Sequence, residues 1–291
     1  MSQIRSLLAA TDFSPHADMA VRRAFRLAAS LGASVHLLHV VDSARLQELR
    51  ALLPDGVEAQ QRLLAEAKRL MAEEASTLDG RCEKRVEIGS HPAAILAASR
   101  SHDLLVLGAH GVHRVREALL GSTADRLLLK AEKPTLVVKR PADGPYRRVV
   151  IPCEYAPPAR RALELALRVA PGARITLLHA FEVEFEGMLW RAAVPSEQIT
   201  ALRAEAAQRA HAWLDKLTEG VEGAEGVGTL ADHGSAGRVV LDVADRVDAD
   251  LVVMGKQGRA AAGELFLGSV TRRVLAEAKC DVLVAPASRE P

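Results

Sequence analysis

One glycine pattern occurs twice in this chain at identical spacing, and it constrains the fold more than any other feature. Each copy has a short apolar run, two glycines three residues apart, nine further residues and then a glycine-serine pair that opens a second apolar segment. The two copies run from Leu104 to Thr123 and from Leu251 to Val270. Because two such matches are unlikely to arise independently, the sequence predicts an internal duplication and hence two similar folded units.

Each copy also has the features of an anion site. The apolar run at residues 104–107 is short and bounded by Asp103 and Gly108, which is typical of a buried parallel strand. Gly108 would let the backbone approach a ligand. Gly121-Ser122-Thr123 then supplies a helix start, where unpaired N–H groups and the positive end of the helix dipole attract phosphate.

The order of elements around this motif predicts the fold class. Strand patterns at residues 4–10, 35–41, 82–88, 104–107 and 134–138 alternate with helical patterns. This alternation predicts an α/β fold with a parallel sheet covered by helices on both faces. The same order of strand and helix patterns begins again after a segment rich in proline and glycine. We therefore predict a first repeat at 1–140, a linker at 141–147 and a second repeat at 148–291.

Composition narrows the class of protein. The 291 residues include 38 basic and 37 acidic side chains, for a formal charge of +1. This balance gives no electrostatic reason to expect nucleic acid or an anionic membrane as the main partner. The chain starts without a signal-like apolar region and has no run of about 20 apolar residues, so we expect a cytoplasmic protein. Three scattered cysteines argue against a disulfide framework or a zinc cluster.

Taken together, these motifs resemble the universal stress protein family in its tandem form. The resemblance rests on strands that end in Asp12 and Glu154, on His39 and His179 at matched strand ends, and on the doubled glycine pattern. It implies two open five-stranded parallel sheets related by a pseudo-two-fold axis. It also implies that the repeats pair through their last strands, Thr135 to Val138 and Val282 to Ala285, and leaves a homodimer open.

This version of the glycine pattern is the one associated with family members that bind ATP. The nucleotide contacts that the resemblance implies for the first repeat are Ala10, Asp12, Val40, Gly108, Gly111, Gly121, Ser122 and Thr123. Those implied for the second repeat are Pro152, Glu154, Ala180, Gly255, Gly258, Gly268, Ser269 and Val270. Because Glu154 replaces the expected Asp, and Ala156 stands where the first repeat has Ser14, we expect the first repeat to hold the better-formed site.

Mechanism is constrained by a missing motif. The chain has no Gly-x-x-x-x-Gly-Lys-Ser/Thr sequence, so it lacks the lysine that holds the β and γ phosphates in P-loop enzymes. We therefore expect an ATP-binding stress-response regulator with little or no turnover, ADP and AMP being alternative ligands and Mg²⁺ entering with the phosphates at Asp12. A slow ATPase or nucleotidyl transferase that uses Asp12 or Glu117 is the first alternative, and a nucleotide-independent scaffold is the second.

Several other side chains have two interpretations. Basic residues in and after the two glycine loops either contact phosphate or face solvent: Arg114, Arg116, Arg126, Lys256, Arg259 and Arg273. Glu117 and Glu264, which match between the copies, either orient a water or are exposed loop carboxylates. His110 and His113 have a spacing that suits a metal but no Cys or Asp nearby to complete the site. His39 and His179 are expected to be hydrogen-bonded core residues. The acidic residues Glu182, Glu184 and Glu186 are expected in a solvated loop.

Overall fold

The chain forms two compact units, residues 1–145 and 146–291. The structure is a computed structural model, and it describes residues 3–78, 82–111, 121–155, 158–256 and 267–286. Eight residues singled out from the sequence lie outside the described ones: His113, Arg114, Arg116, Glu117, Ala156, Gly258, Arg259 and Glu264. The side chain of Ser122 lies outside them as well.

The first unit is built on a parallel sheet. Its strands are β1 (Ser6–Ala10), β2 (Ser34–Asp42), β3 (Cys82–Gly89), β4 (Leu104–Gly108) and β5 (Thr135–Val138). Its helices are α1 (Pro15–Leu31), α2 (Ser43–Leu52), α3 (Gly56–Ser76), α4 (His91–Ser99) and α5 (Ser122–Lys130). The strand order is β3-β2-β1-β4-β5, so the order reverses between β1 and β4. Parallel α/β sheets bind their ligands at the carboxyl ends of the strands beside such a reversal.

The second unit repeats this architecture. Its strands are β6 (Arg148–Pro152), β7 (Arg174–Phe181), β8 (Gly228–His233), β9 (Leu251–Gly255) and β10 (Asp281–Ala285). Its helices are α6 (Pro158–Val169), α7 (Glu186–Arg191), α8 (Ser196–Thr218), α9 (Ala236–Arg246) and α10 (Ser269–Glu277). The order β10-β9-β6-β7-β8 is that of the first unit. The predicted class, two open five-stranded parallel sheets with helices on both faces, is confirmed.

The apolar runs seen in the sequence form the buried interior. In the first unit, one core cluster joins the central strands to α4 and α5: Leu8, Leu38, Val40, Ile95, Leu105, Leu107 and Leu127. Residues on β1 and β4 are buried on both faces, which explains their nearly continuous apolar runs. Among the described residues, no helix is long and apolar enough to cross a membrane.

Two helices were not predicted from the sequence, α2 and α7. Helix α2 begins after Asp42, whose carboxylate accepts hydrogen bonds from the backbone N–H groups of Ala44 and Arg45, both at 3.0 Å. Leu46 is the buried residue of this helix, so α2 has almost no apolar periodicity for a sequence pattern to detect. Helix α7 spans six residues and buries none of them, and it is too short to show any period.

The segment between the repeats is attached to both units. Arg23 on α1 is only 3% exposed, and its guanidinium donates to the carbonyl oxygens of Gly144 at 2.8 Å and Pro141 at 3.4 Å. In the second unit, the hydroxyl of buried Tyr146 donates to the Asp281 carboxylate at 2.6 Å. These contacts secure the proline-rich segment at each end.

Matched aspartates secure the first strand of each unit. Asp103, just before β4, accepts hydrogen bonds from the backbone N–H groups of Arg5 at 2.8 Å and Ser6 at 3.1 Å. Asp250, just before β9, accepts from the N–H groups of Arg147 at 2.8 Å and Arg148 at 3.0 Å. The same carboxylate therefore fixes the start of the first strand against the fourth in both repeats.

Candidate functional site

A cavity of about 630 Å³ lies at the carboxyl ends of β1, β2 and β4 in the first unit. Its size falls within the usual range for small-molecule sites, roughly 300–1,000 Å³. Of the residues predicted for the first repeat, the structure places these around the cavity: Ala10, Asp12, Val40, Gly108, Gly111, Gly121 and Thr123. Ser122 is the first residue of α5. Residues that are far apart in sequence thus meet where the topology predicts a ligand.

The polar end of the cavity is formed by the glycine turns. The backbone N–H of Gly121 donates to the carbonyl of Ala109 at 3.0 Å, and this bond sets the start of α5 beside the end of β4. Asp12 faces the same turn, because a Cβ added to Gly111 would lie 2.7 Å from Asp12 Oδ2. The other carboxylate oxygen of Asp12 accepts from the Ser14 N–H at 3.1 Å. A carboxylate, a glycine turn and a helix start therefore share one end of the cavity.

Gly108 serves packing, which the sequence did not suggest. A Cβ at this position would lie 2.7 Å from the carbonyl carbon and oxygen of His16 on α1. Backbone atoms cannot yield to such a contact, so the absent side chain allows α1 to pack against β4. At Gly121, by contrast, the nearest heavy atom to an added Cβ is the Ala109 oxygen at 3.4 Å. A methyl group at Gly121 would therefore make ordinary van der Waals contacts and no clash.

His39 is hydrogen-bonded, as predicted, but it is half-buried and lies in the wall of the cavity and not in the core. Its Nδ1 lies 2.9 Å from the carbonyl oxygen of Thr11, and its ring packs on Phe13 with centroids 4.4 Å apart. Burial lowers the pKa of His39, and this effect exceeds the opposing effect of the Thr11 hydrogen bond. Phe13 has a φ of 62°, an uncommon conformation for a bulky residue. The loop after β1 is therefore held in one shape beneath the cavity.

The apolar end of the cavity includes residues that sequence reasoning missed. Leu46 and Leu49 on α2, Leu63 on α3 and Ile95 on α4 line it. Leu46 and Leu49 were missed because α2 was not predicted, whereas the predicted helical patterns that contain Leu63 and Ile95 did not show that these side chains reach the cavity. The N-cap residue Asp42 was the available signal, since Asp is favoured before a helix start.

Charged groups stand at the rim between these two ends. Arg45 and His91 line the cavity, and His91 Nδ1 lies 3.4 Å from an Asp42 carboxylate oxygen. The pKa of Asp42 is lowered, mainly by the hydrogen bond from the Arg45 backbone N–H. An ionised Asp42 therefore keeps the first turn of α2 in place along the cavity.

Among the described residues, His110 belongs to no group of three or more metal ligands. His110 packs edge-on against His16 with ring centroids 5.0 Å apart, and His113 lies outside the described residues. No group of three or more His, Cys, Asp or Glu side chains suited to a metal occurs in the part of the chain that the structure describes.

The second unit keeps the backbone of the site and changes its side chains. Gly268 N–H donates to the Lys256 carbonyl at 3.1 Å, as Gly121 does to Ala109. Lys256, only 5% exposed, stands where the first unit has the small Ala109. Glu154 is exposed. The remaining predicted residues lie at the ends of β6, β7 and β9 and the start of α10: Pro152, Ala180, Gly255, Ser269 and Val270.

An aromatic cluster adjoins this second copy. His179 Nδ1 lies 2.8 Å from the Cys153 carbonyl oxygen, which is the contact that His39 makes with Thr11. The ring of Tyr155 packs against His179 at 4.5 Å and against Trp213 on α8 at 4.7 Å between centroids. The two copies thus present different surroundings to any ligand.

A comparison with known protein families matches each of the two repeats separately. The universal stress protein family profile matches residues 3–139 and 145–286. A universal stress protein of Mycobacterium tuberculosis is 30% identical over 206 residues, which are 66% of this chain and 62% of that relative. This chain therefore spans less than two thirds of that relative's length. A universal stress protein of Mycolicibacterium smegmatis is 27% identical over 295 residues and 96% of each chain.

A solved structure shares the fold. The universal stress protein from Archaeoglobus fulgidus DSM 4304 superimposes with a TM-score of 0.70 at 20% identity, covering 99% of this chain and 100% of that one. At that identity the likeness concerns the fold alone.

Proposed function

The chain belongs to the universal stress protein family in its tandem form, and from that premise we propose that it is an ATP-binding regulator of the stress response. Bound nucleotide would order the loops around the site and so alter the binding of partners, with little or no hydrolysis of the nucleotide. The observation that carries this proposal is the cavity in the first unit, where glycine turns and a helix start meet Asp12 at one end and aliphatic side chains line the other. A nucleotide has the same division into phosphates and a flat, weakly polar base.

Each end has a defined role in the proposal. The phosphates would lie at Gly111, Gly121 and the first turn of α5, where unpaired N–H groups and the helix dipole favour anions. The ribose would face Asp12, and the base would lie against Ala10 and Val40. ADP and AMP fit the same description with fewer phosphate contacts.

Magnesium would enter with the nucleotide. Mg²⁺ is commonly held by one or two carboxylates together with phosphate oxygens, and Asp12 is the carboxylate that faces the glycine turn. The chain has no P-loop lysine to hold the β and γ phosphates. In this proposal its residues bind and orient the nucleotide. We therefore expect slow phosphate release at most.

The nature of the ligand is tested by mass spectrometry of whatever leaves the purified protein on denaturation, with its stoichiometry. A thermal-shift titration with ATP and Mg²⁺ provides the second measurement. A ligand at a hundred times its dissociation constant stabilises the folded state by about 2.7 kcal/mol, which raises the melting temperature measurably. The proposal is refuted if the protein releases no nucleotide on denaturation and also shows no thermal shift with ATP, ADP or AMP.

A further inference from the structure

A shielded carboxylate beside the cavity of the first unit lacks the partners that such a group usually has. Glu74 on α3 is half-buried, and its Oε1 accepts a hydrogen bond from the Thr11 hydroxyl at 3.4 Å. Its Oε2 is buried and has no hydrogen-bond partner among the described residues. A carboxylate oxygen that is buried without a donor lowers the stability of the folded state. Glu74 at this position therefore opposes folding.

Glu186 in the second unit shows how a shielded carboxylate is ordinarily satisfied. Its side chain is 14% exposed. It accepts hydrogen bonds from the Arg203 guanidinium and lies 2.7 Å from His233 Nε2. These partners fix Glu186 in place, so its predicted placement in a solvated loop is wrong. The contrast shows that the contact of Glu74 with Thr11 is not explained by charge pairing.

The charges around Glu74 do not compensate for its burial. Arg22 on α1 favours the ionised form of Glu74, but its Nε is already engaged by the Asp18 carboxylate at 2.9 and 3.0 Å. The charges of Asp18 and Asp12 have the opposite effect. Burial is the largest influence, and it raises the pKa of Glu74 above its ordinary value. The side chain is therefore kept where electrostatics disfavours it.

The hydroxyl of Thr11 joins Glu74 to the loop after β1 (residues 11–14). The same hydroxyl accepts a hydrogen bond from the Phe13 N–H at 3.1 Å. The Thr11 N–H donates to the Leu38 carbonyl at 2.9 Å, and the Thr11 carbonyl oxygen lies 2.9 Å from His39 Nδ1. One buried residue therefore fastens this loop to α3 on one side and to β2 on the other.

The corresponding loop of the second unit is held differently. Cys153 stands in place of Thr11, and its carbonyl oxygen makes the same contact, at 2.8 Å, with His179 Nδ1. Its Sγ donates to a backbone carbonyl of its own strand at 3.2 Å. Helix α8 reaches the loop through Trp213, whose ring packs on Tyr155 with centroids 4.7 Å apart. The contact between helix and loop is therefore polar in the first unit and aromatic in the second.

We propose that Glu74 is a positioning residue of the nucleotide site: through the Thr11 hydroxyl it holds the loop after β1, and with it Asp12, in the shape that binds ATP. This inference rests on the proposed function. Asp12 directly follows Thr11, and its carboxylate faces the turn at Gly111, so a shift at Thr11 displaces the group that would meet the ribose and Mg²⁺. A destabilising group that is retained beside a binding site is typical of a trade-off between stability and activity.

Two substitutions at Glu74 separate its hydrogen bond from its charge. Glu74→Gln keeps an oxygen that accepts from Thr11, whereas Glu74→Met fills similar space without an acceptor. In calorimetric titrations with ATP and Mg²⁺, the affinity should be unchanged in Glu74→Gln and about two- to tenfold weaker in Glu74→Met, the range expected for one hydrogen bond. The stoichiometry should stay at the wild-type value in both, because a misplaced Asp12 weakens binding whereas partial unfolding removes sites.

Two further variants provide the controls. Glu73 is the neighbouring residue on α3, and its exposed carboxylate pairs with Arg69, so Glu73→Met should leave the ATP affinity unchanged. Thr11→Val removes the hydroxyl through which Glu74 acts. Adding Glu74→Met to Thr11→Val should therefore weaken ATP binding no further, since both changes remove one interaction.

The outcomes distinguish this inference from the proposed function. Wild-type affinity in Glu74→Met, an equal loss in Glu74→Gln, or a further loss in the double variant overturns the inference and leaves the proposed function intact. A lower stoichiometry at unchanged affinity in Glu74→Met would identify a purely structural role and overturn it as well. If the wild-type protein binds none of ATP, ADP and AMP, the proposed function fails and this inference fails with it.

Discussion

Gly108 ends β4 and Gly121 precedes α5, and their different neighbours predict different mutational effects. Gly108→Ala places a Cβ 2.7 Å from the His16 backbone, so α1 must move away from β4. Overpacking of this kind destabilises by typically 1–3 kcal/mol. Gly121→Ala meets its nearest atom at 3.4 Å and should fold with nearly normal stability while weakening ATP binding. Urea denaturation together with ATP titration of both variants measures the two effects.

The contradictory outcomes are distinct for the two glycines. A stable Gly108→Ala protein would show that α1 tolerates displacement. A Gly121→Ala protein with unchanged ATP affinity would show that the phosphates do not lie at the start of α5.

For individual residues, the sequence predicted which of them lie around the cavity more accurately than it predicted what each one does there. Seven of the eight residues predicted for the first repeat line one cavity, because the spacing of glycine turns and strand ends is visible in the sequence. Gly108 was interpreted as room for a ligand. Its true neighbour is His16, ninety-odd positions away in a separate element, and no local pattern reports a contact of that kind.

Among the secondary-structure elements, the start of β1 depends on the charge of Asp103. Burial raises the pKa of Asp103, but hydrogen bonds from Arg5 and Ser6 together outweigh it and the pKa is lowered. Because the folded-state pKa is lowered, the Asp103 carboxylate stabilises the fold at every pH above its unfolded-state pKa of about 3.8–3.9. That stabilisation is lost as the pH falls through the folded-state pKa. Asp103→Asn should therefore reduce the free energy of unfolding by about 1 kcal/mol at neutral pH.

The pH dependence checks this assignment. The difference between wild type and Asp103→Asn in urea should shrink as the pH falls below about 3.8–3.9, where the carboxylate protonates first in the unfolded state and, at still lower pH, in the folded state. Asp250→Asn is the matched variant in the second unit, where the same pair of backbone N–H groups is held. A constant difference at every pH would mean that shape, and not charge, matters at Asp103.

The elements that sequence predicted are those with a strong period. Strands buried on both faces and helices with a broad apolar face left a pattern, and their class was predicted correctly. Helices α2 and α7 bury one residue and none, so hydrophobic periodicity could not identify them. Of these two helices, α2 lines the cavity of the first unit.

At the scale of the whole chain, duplication has produced two copies with the same backbone turn and different chemistry. Gly121 and Gly268 make equivalent hydrogen bonds to the residue after each fourth strand. At that residue the second unit has the long, buried side chain of Lys256, whereas the first unit has the small Ala109. Glu154 is exposed, whereas its counterpart Asp12 is half-buried. The copies diverged in the side chains that a ligand would touch, while the backbone that holds the fold was retained.

This divergence predicts unequal nucleotide sites. Calorimetric titration with ATP should give a tight stoichiometry near one per chain, with the first unit as the occupied site. Gly121→Val, which crowds the start of α5, should abolish this tight site, and the equivalent Gly268→Val should leave its affinity unchanged. A stoichiometry near two would show that both units bind nucleotide despite Lys256 and Glu154. Loss of the tight site in the Gly268→Val protein alone would show that the second unit carries it.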